Sequence, residues 1–258
     1  MERRILGRSG LEAGRLGMGA TYGVPAQAVE RAFERGVNYL YWGSFRKSAF
    51  GQALRNLKPQ RSRMVLVLQS YSRVGGLMRG SIEAALRKLS FDFADVLLLG
   101  LWNHKPAPRI LDAARKLRER GLIRHIAVST HHRRLVQQLA ADPDVGIVHV
   151  RYNAAHPGAE REVFPILRAH PRPPGAVAFT ATSWRQLMNP RRAPRGERVP
   201  TATDCYRFVL SNPAVDVCMS GPATEAQAED ALRAIELGPM RDEELAWMRR
   251  VGDHIHGR

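Results

Sequence analysis

The chain has 258 residues, of which 44% are hydrophobic, and a formal net charge of +16. This length suits one large α/β domain with its own core, and without a run of 18 apolar residues or a signal-peptide pattern we expect a cytoplasmic protein with no membrane contact. Two cysteines, Cys205 and Cys218, are too few for a disulfide scaffold and lack the spacing of metal ligands.

The basic residues are mostly arginine, with only five lysines among forty. Such a charge favours an anionic partner, for example a nucleotide cofactor or an acidic substrate, although coding bias explains the arginine excess equally well. Five arginines lie in one short segment, Arg185, Arg191, Arg192, Arg195 and Arg198. Aromatic residues are few and do not alternate with basic ones, so nucleic-acid binding is not expected.

In chain order, the sequence predicts two short strands around a turn at residues 7–10, and then strands alternating with helices. The predicted strands are Leu16–Met18, Tyr39–Trp42, Met64–Leu68, Val96–Leu99, Ile123–Val128, Gly146–Val150, Ala176–Phe179 and Val215–Met219. The predicted helices are Ala26–Arg35, Lys47–Leu57, Gly80–Leu89, Ile110–Arg120, Leu135–Ala141, Glu160–Ala169, Pro200–Leu210, Glu225–Glu236 and Arg241–His256.

Eight strands alternating with helices predict a closed (β/α)₈ TIM barrel, formed by one domain over residues 1–258. An open doubly wound sheet is the alternative, but it usually carries a Gly-rich phosphate turn after its first strand, and none is present. The fourth predicted strand follows Asp95 and is apolar on both faces. Gly100 then lies at its carboxyl end, where barrel enzymes place their chemistry.

Several motifs occur in one order along the chain: Leu6–Glu12 (LGRSGLE), Arg15–Gly19 (RLGMG), Gly36–Tyr39 (GVNY), Phe50–Leu54 (FGQAL), Asp95–Leu99 (DVLLL), Gly121–Ser129 (GLIRHIAVS) and Tyr152-Asn153. Together they resemble the aldo-keto reductases. The resemblance implies a (β/α)₈ barrel with an amino-terminal β-hairpin that plugs the bottom. It also implies that the mouth of the barrel binds NADPH or NADH.

The resemblance further implies four catalytic positions, which in the family hold aspartate, tyrosine, lysine and histidine. In this sequence they correspond to Tyr41, to Arg46 (or Phe45 if the loop is shorter), to Gln69 and to Gly100. Since none of the four residues is retained, the family's usual proton transfer is not expected here.

Tyr41 is the leading candidate proton donor, because an alkoxide left by hydride transfer must be protonated as it forms. A neighbouring Arg46 or Lys47 would favour the phenolate form. The competing interpretation is that Tyr41 and Trp42 only fill space as core aromatics.

Two further candidates could move a proton, the phenol of Tyr71 and the imidazole of His131. Substrate contacts are predicted for residues at or near strand ends, namely Trp42, Gln69, Trp102, Asn103 and Asn153. No set of side chains has the spacing of a metal site.

On the cofactor side, the resemblance assigns Ser129 and His149 to the nicotinamide carboxamide, and Phe179, followed by Thr180, to the nicotinamide ring. Residues 220–225 open a helix whose free N–H groups suit a phosphate, which adds Gly221 and Thr224 to the predicted cofactor contacts. The residues that usually clamp a 2′-phosphate are not recognisable, so the choice between NADPH and NADH stays open.

The leading hypothesis is therefore an NAD(P)H-dependent reductase of a carbonyl- or imine-like small molecule, with a replaced proton donor. One alternative is a cofactor-free lyase, isomerase or cyclase that acts on an anionic substrate in the same mouth. Another is an inactive nucleotide-binding protein. Whether the Arg185–Arg198 segment closes over a ligand is not determined by the sequence.

Overall fold

The computed structural model describes residues 2–43 and 46–257 and shows a hairpin followed by a closed barrel. The hairpin strands are β1 (Arg3–Ile5) and β2 (Glu12–Gly14). The barrel strands are β3 (Leu16–Gly19), β4 (Tyr39–Trp42), β5 (Val65–Ser70), β6 (Ala94–Leu99), β7 (Ile123–Thr130), β8 (Val145–Arg151), β9 (Gly175–Phe179) and β10 (Val217–Ser220). Each barrel strand pairs in parallel with the next, and β10 pairs with β3, which confirms the predicted (β/α)₈ fold.

Helices surround the barrel and follow its strands. They are α1 (Ala26–Glu34), α2 (Ser48–Asn56), α3 (Gly75–Leu89), α4 (Pro108–Glu119), α5 (Leu135–Ala141), α6 (Ala159–Glu162), α7 (Phe164–Ala169), α8 (Ala202–Leu210), α9 (Glu225–Leu237) and α10 (Asp242–His256). Short 3₁₀ turns span Lys58–Arg63 and Gln186–Met188. No helix in the described ranges has the length and apolar character needed to cross a membrane.

Two apolar cores follow from the alternation of side chains along each strand. One set of strand residues packs inside the barrel, among them Tyr39, Val67, Val96, Ile147 and Val177. Their neighbours along the strands point outwards and pack under the helices. A residue two positions further along a strand therefore returns to the same face, and this rule decides which side chains reach the mouth.

The hairpin closes the amino-terminal end of the barrel, as predicted. Leu6 and Ala13 are completely buried and join the inner core. Gly7 has a φ of +45°, and a Cβ there would lie 2.4 Å from the nitrogen of Gly175 at the start of β9. Only glycine permits both this conformation and this approach, so the hairpin packs directly on the barrel.

The prediction of one continuous helix over Glu160–Ala169 is wrong, because the chain forms two short helices there. Val163 interrupts them with a φ of −121°. Pro165 explains the interruption, since its ring clashes with the carbonyl group four residues earlier and it supplies no N–H. Most other bounds differ by one or two residues, and the largest difference is that α3 begins at Gly75 instead of Gly80.

Asp95 is a buried carboxylate that ties three strands together near the amino-terminal end. Its Oδ2 accepts the N–H of Leu66 at 2.8 Å and lies 2.8 Å from an Arg61 nitrogen, and its Oδ1 lies 3.4 Å from an Arg124 nitrogen. Its side chain is 3% exposed.

We expect Asp95→Ala to lower the free energy of unfolding by about 3 kcal/mol, because it leaves a buried N–H and a half-buried guanidinium without their acceptor. Urea denaturation measures the change. Asp112→Ala is the control, since its carboxylate is 56% exposed and pairs with Arg115. Its expected cost is below about 1 kcal/mol, and equal losses in both variants would contradict the assigned role of Asp95.

Candidate functional site at the barrel mouth

The barrel mouth comprises the carboxyl ends of β3–β10 and the loops that follow them. In a closed parallel barrel these ends converge, so side chains from distant parts of the sequence meet there. Strand alternation directs a particular set inwards at this level: Tyr41, Gln69, Gly100, Ser129, His131, Arg151 and Phe179.

Tyr41 and Gln69 form a hydrogen-bonded pair on neighbouring strands. The Tyr41 hydroxyl donates to Oε1 of Gln69, which is 4% exposed. Burial, with a smaller contribution from Tyr71, raises the pKa of the Tyr41 phenol well above its ordinary value of 10. The phenol is therefore neutral and protonated across the physiological range.

Gly100 leaves a space that Tyr71 and Gln69 occupy. A Cβ at Gly100 would lie 2.6 Å from the Tyr71 ring and 2.7 Å from Nε2 of Gln69. Tyr71 is 51% exposed, so one part of its ring packs on the Gly100 backbone and another part faces solvent. The structure thus brings Tyr41, Gln69 and Tyr71 together around Gly100.

Arg46 does not act on Tyr41, which corrects the expectation that it favours a phenolate. Its guanidinium donates to the carbonyl oxygen of Ser81 at 3.0 Å and lies over the Trp42 ring. No cation contributes to the shifted pKa of Tyr41. Phe45, the other candidate for this family position, lies outside the described residues.

Below Tyr41, the barrel interior holds a polar pair that sequence reasoning did not anticipate. The Tyr39 hydroxyl lies 2.8 Å from Nε2 of His149, and both side chains are buried. Burial lowers the pKa of His149 to about 3. The imidazole is therefore neutral, and its Nε2 already shares a hydrogen bond with the Tyr39 hydroxyl, so this nitrogen is not free to bind a carboxamide.

Ser129 organises the loop after β6. Its hydroxyl oxygen accepts the N–H of Leu101 at 2.8 Å, and its carbonyl oxygen accepts the N–H of Trp102. Arg73 reinforces this loop by donating to the carbonyl oxygens of Gly100 and Leu101.

Three predicted substrate contacts do not fit the positions of their side chains. Trp42 is completely buried beneath α2, because it follows Tyr41 and so points outwards. Trp102 is 3% exposed and lies under the Arg73 guanidinium, 3.6 Å from its ring centroid. Asn153 is completely buried, and its amide donates to the carbonyl oxygen of Thr180 at 2.8 Å. Asn153 therefore positions the end of β9 instead of lining the mouth.

Asn103 is exposed on the loop after β6, and its carbonyl oxygen lies 3.0 Å from Nδ1 of His132. This contact connects the loops that follow β6 and β7. The side chain of Asn103 stays available to a ligand.

Three aromatic side chains lie on the wall of the mouth opposite Tyr41 and Gln69. The ring centroid of His131 is 5.4 Å from that of Phe179 and 6.2 Å from that of Trp184. The Thr180 and Ser183 hydroxyls beside Phe179 are buried and have no hydrogen-bond partner among the described residues. These unsatisfied donors fit a bound polar group, and a nicotinamide on Phe179 would share that ring with His131.

Arg151 is the second residue that sequence reasoning missed. It lies at the end of β8, opposite Phe179 in the strand register, and its guanidinium is half-buried. The signal that finds it is period-two alternation, because Ile147 and His149 point inwards and Arg151 continues that series.

At the end of β10, part of the predicted phosphate site is already satisfied. The Thr224 hydroxyl accepts the N–H of Gln227, whose side chain in turn accepts the N–H of Ala223. Tyr22 lies over Gly221, where an added Cβ would be 3.0 Å from its ring. The amides of Glu225 and Ala226 stay available for an anion.

The arginine-rich segment is partly committed to its own structure. Arg198 pairs with Asp204 at 2.7 Å and stacks on Trp247. Arg192 donates to Gln186. These contacts fix the segment against α8 and α10.

No group of three or more potential metal ligands occurs in residues 2–43 and 46–257. Two surface cavities of about 540 and 440 Å³ lie on the outer side of the barrel, along α1 and α9. Neither includes a mouth residue.

The fold and its mouth define a (β/α)₈ barrel protein with a polar and aromatic site at the strand carboxyl ends. The model of the aldo/keto reductase family matches residues 24–183, and this chain belongs to that family.

Solved structures agree with this fold. An aldo-keto reductase from Bacillus halodurans superimposes with a TM-score of 0.79 in its holo form and 0.76 in its apo form. Both are 20% identical in sequence, and each match covers 97% of this chain and 96% of the other. An aldo/keto reductase from Klebsiella pneumoniae, in complex with NADP and acetate, gives a TM-score of 0.80 at 20% identity over 98% of this chain and 96% of that chain. At 20% identity, the likeness to these structures establishes the fold alone.

The neutral state of His149 predicts a pH dependence of stability. Below about pH 6.5 an unfolded histidine binds a proton, whereas His149 in the folded protein stays neutral down to about pH 3. The folded state therefore loses about 1.4 kcal/mol per pH unit as the pH falls through this window. A His149→Gln variant lacks this loss, so its stability relative to the unsubstituted protein rises between pH 6 and 4.

Urea denaturation at several pH values measures this difference. Replacement of His104, an exposed histidine on the loop after β6, controls for removal of an imidazole. Parallel pH curves for His149→Gln and the unsubstituted protein would contradict a neutral His149.

Proposed function

We propose that this protein is an NAD(P)H-dependent oxidoreductase that reduces the carbonyl group of a small molecule, with Tyr41 as the proton donor. Membership of the aldo/keto reductase family supports the reaction class. The main support for Tyr41 as the proton donor is its hydrogen bond to Gln69 on the inner wall of the mouth.

In this proposal the family's four catalytic positions hold Tyr41, Arg46, Gln69 and Gly100, so protons are handled differently from the usual arrangement. Gln69 has no proton to give and instead fixes the direction of the Tyr41 hydroxyl. Tyr71 fills the volume beside Gly100 and limits where a substrate oxygen can approach.

The raised pKa of Tyr41 decides between the two substrate types. A phenol with a raised pKa gives its proton only to a strong base. The alkoxide that forms when a carbonyl is reduced is such a base. An imine is reduced as its iminium ion, and a phenol with a raised pKa is too weak an acid to protonate the imine nitrogen before hydride transfer. The carbonyl substrate is therefore favoured over the imine.

Bound NAD(P)H would supply the hydride. Phe179 offers it an aromatic face, and the Thr180 and Ser183 hydroxyls are free to hydrogen-bond its polar groups. His149 is occupied by Tyr39, so in this proposal it supports the floor of the site and does not bind the carboxamide directly.

We expect Tyr41→Phe to lower kcat for a panel of aromatic aldehydes by about 100-fold or more, because the phenyl ring keeps the shape and removes the proton. Affinity for NADPH and NADH, measured by nicotinamide fluorescence, should be unchanged. In the unsubstituted protein, activity should persist to pH 10, since the raised pKa keeps the phenol protonated.

Tyr71→Phe is the matched comparison, and it should lower kcat by less than about threefold. If Tyr71→Phe lowered kcat more than Tyr41→Phe, Tyr71 would be the proton donor instead. Cofactor binding with no turnover of any aldehyde would instead support an inactive nucleotide-binding protein. If neither NADPH nor NADH binds, the remaining hypothesis is an enzyme that works without a cofactor.

A further inference from the structure

Three inward-facing side chains form a row across neighbouring strands at the mouth. Ser129 pairs with His149 in the register, so His131 and Arg151 are the next inward pair, and Arg151 pairs with Phe179. In strand order, Arg151 therefore lies between His131 and Phe179, whose ring centroids are 5.4 Å apart.

The Arg151 guanidinium has no carboxylate partner in the described part of the chain, and its Nε is buried without a hydrogen bond. Other largely buried arginines have partners, either carboxylates or, for Arg8 and Arg46, backbone carbonyl oxygens. Arg207 lies 2.6 Å from Glu244, and Arg61 lies 2.8 Å from Asp95. A half-buried cation without an anion is costly, so Arg151 needs an explanation that the fold does not supply.

The groups around Arg151 leave close to one unit of positive charge. Arg133 is balanced by Glu162, 2.8 Å away. Burial, followed by the charge of Arg151, lowers the pKa of His131 and lowers that of His156 to about 4, so both imidazoles are neutral near pH 7. Besides burial, only a further positive charge, that of Arg133, shifts the pKa of Arg151, and it also lowers it. One uncompensated charge matches a carboxylate better than a doubly charged phosphate.

Most of the exposed large apolar side chains also lie around the mouth. Eight large apolar side chains are exposed in the described residues, and six of them lie on loops or a helix start that follow barrel strands. We call these six the apolar rim: Tyr22, Tyr71, Val74, Leu77, Leu101 and Trp184. The other two, Ile5 and Leu237, lie on the hairpin and at the end of α9. Exposed apolar residues gathered at one site mark a binding surface, whereas scattered ones do not.

We propose that the mouth binds an aromatic carboxylate, with its carboxylate on Arg151 and its apolar body against the apolar rim. This inference rests on the proposed function and names its substrate class: a carbonyl compound that also carries one carboxylate on an apolar body. Arg151 then fixes the substrate's orientation by a charge-assisted hydrogen bond, and the imidazole of His131 flanks the same group.

Binding of 2-naphthoate, measured by isothermal titration calorimetry without cofactor, tests this site directly. The neutral 2-naphthamide has the same ring system and no charge. We expect Arg151→Gln to weaken 2-naphthoate binding by about 10-fold or more and to change 2-naphthamide binding by less than twofold. Arg151→Lys, which keeps the charge, should recover part of the affinity.

Arg168→Gln is the control for the loss of one positive charge, because Arg168 is exposed on α7 and distant from the mouth. Its 2-naphthoate affinity should stay within twofold of the unsubstituted protein, and thermal unfolding checks that each variant is folded.

Three results would overturn the proposal: no saturable binding of 2-naphthoate, equal losses for the acid and the amide, or the same loss in Arg168→Gln. Because the assay needs no turnover, it separates this inference from the proposed function. A carboxylate site that depends on Arg151 would stand even if no carbonyl compound were reduced, and reduction that prefers neutral aldehydes would leave the oxidoreductase standing without this site.

Discussion

The absence of a side chain at Gly100 is the constraint on which this half of the mouth depends. A Cβ there would meet the Tyr71 ring at 2.6 Å and the Gln69 amide at 2.7 Å, so both groups keep their positions only because the residue is glycine. Gln69 in turn holds the Tyr41 hydroxyl. One missing side chain thus allows three others to pack together, and the proposed chemistry follows from that arrangement.

The arginines of this chain differ in the groups that surround them. Some on the outer surface pair with carboxylates, for example Arg35 with Glu229 and Arg115 with Asp144. Around the mouth, Arg73 bonds to carbonyl oxygens, Arg46 bonds to Ser81, and Arg151 has no acidic partner in the described residues. Of these three arginines, Arg151 is therefore the one whose charge a bound anion would balance.

The fold was predictable because apolar alternation and helix periodicity act over short stretches of sequence. The same alternation also places Tyr41 inwards and Trp42 outwards, so it already argues against the substrate role given to Trp42. The role of Asn153 was harder to predict, since only the path of the chain after β9 shows that its amide donates to the carbonyl oxygen of Thr180. The Tyr39–His149 bond joins residues that are 110 positions apart, and no local pattern predicts it.

The Tyr39–His149 pair also separates the two ends of the barrel. Both groups are buried, and apolar side chains such as Val96, Ile147 and Leu6 pack in the interior below them. With a neutral imidazole and a phenol of raised pKa, this layer offers no group that changes its protonation near neutral pH. In the proposed reaction, the proton that Tyr41 gives up would therefore be replaced from the solvent side, through the same opening by which ligands enter.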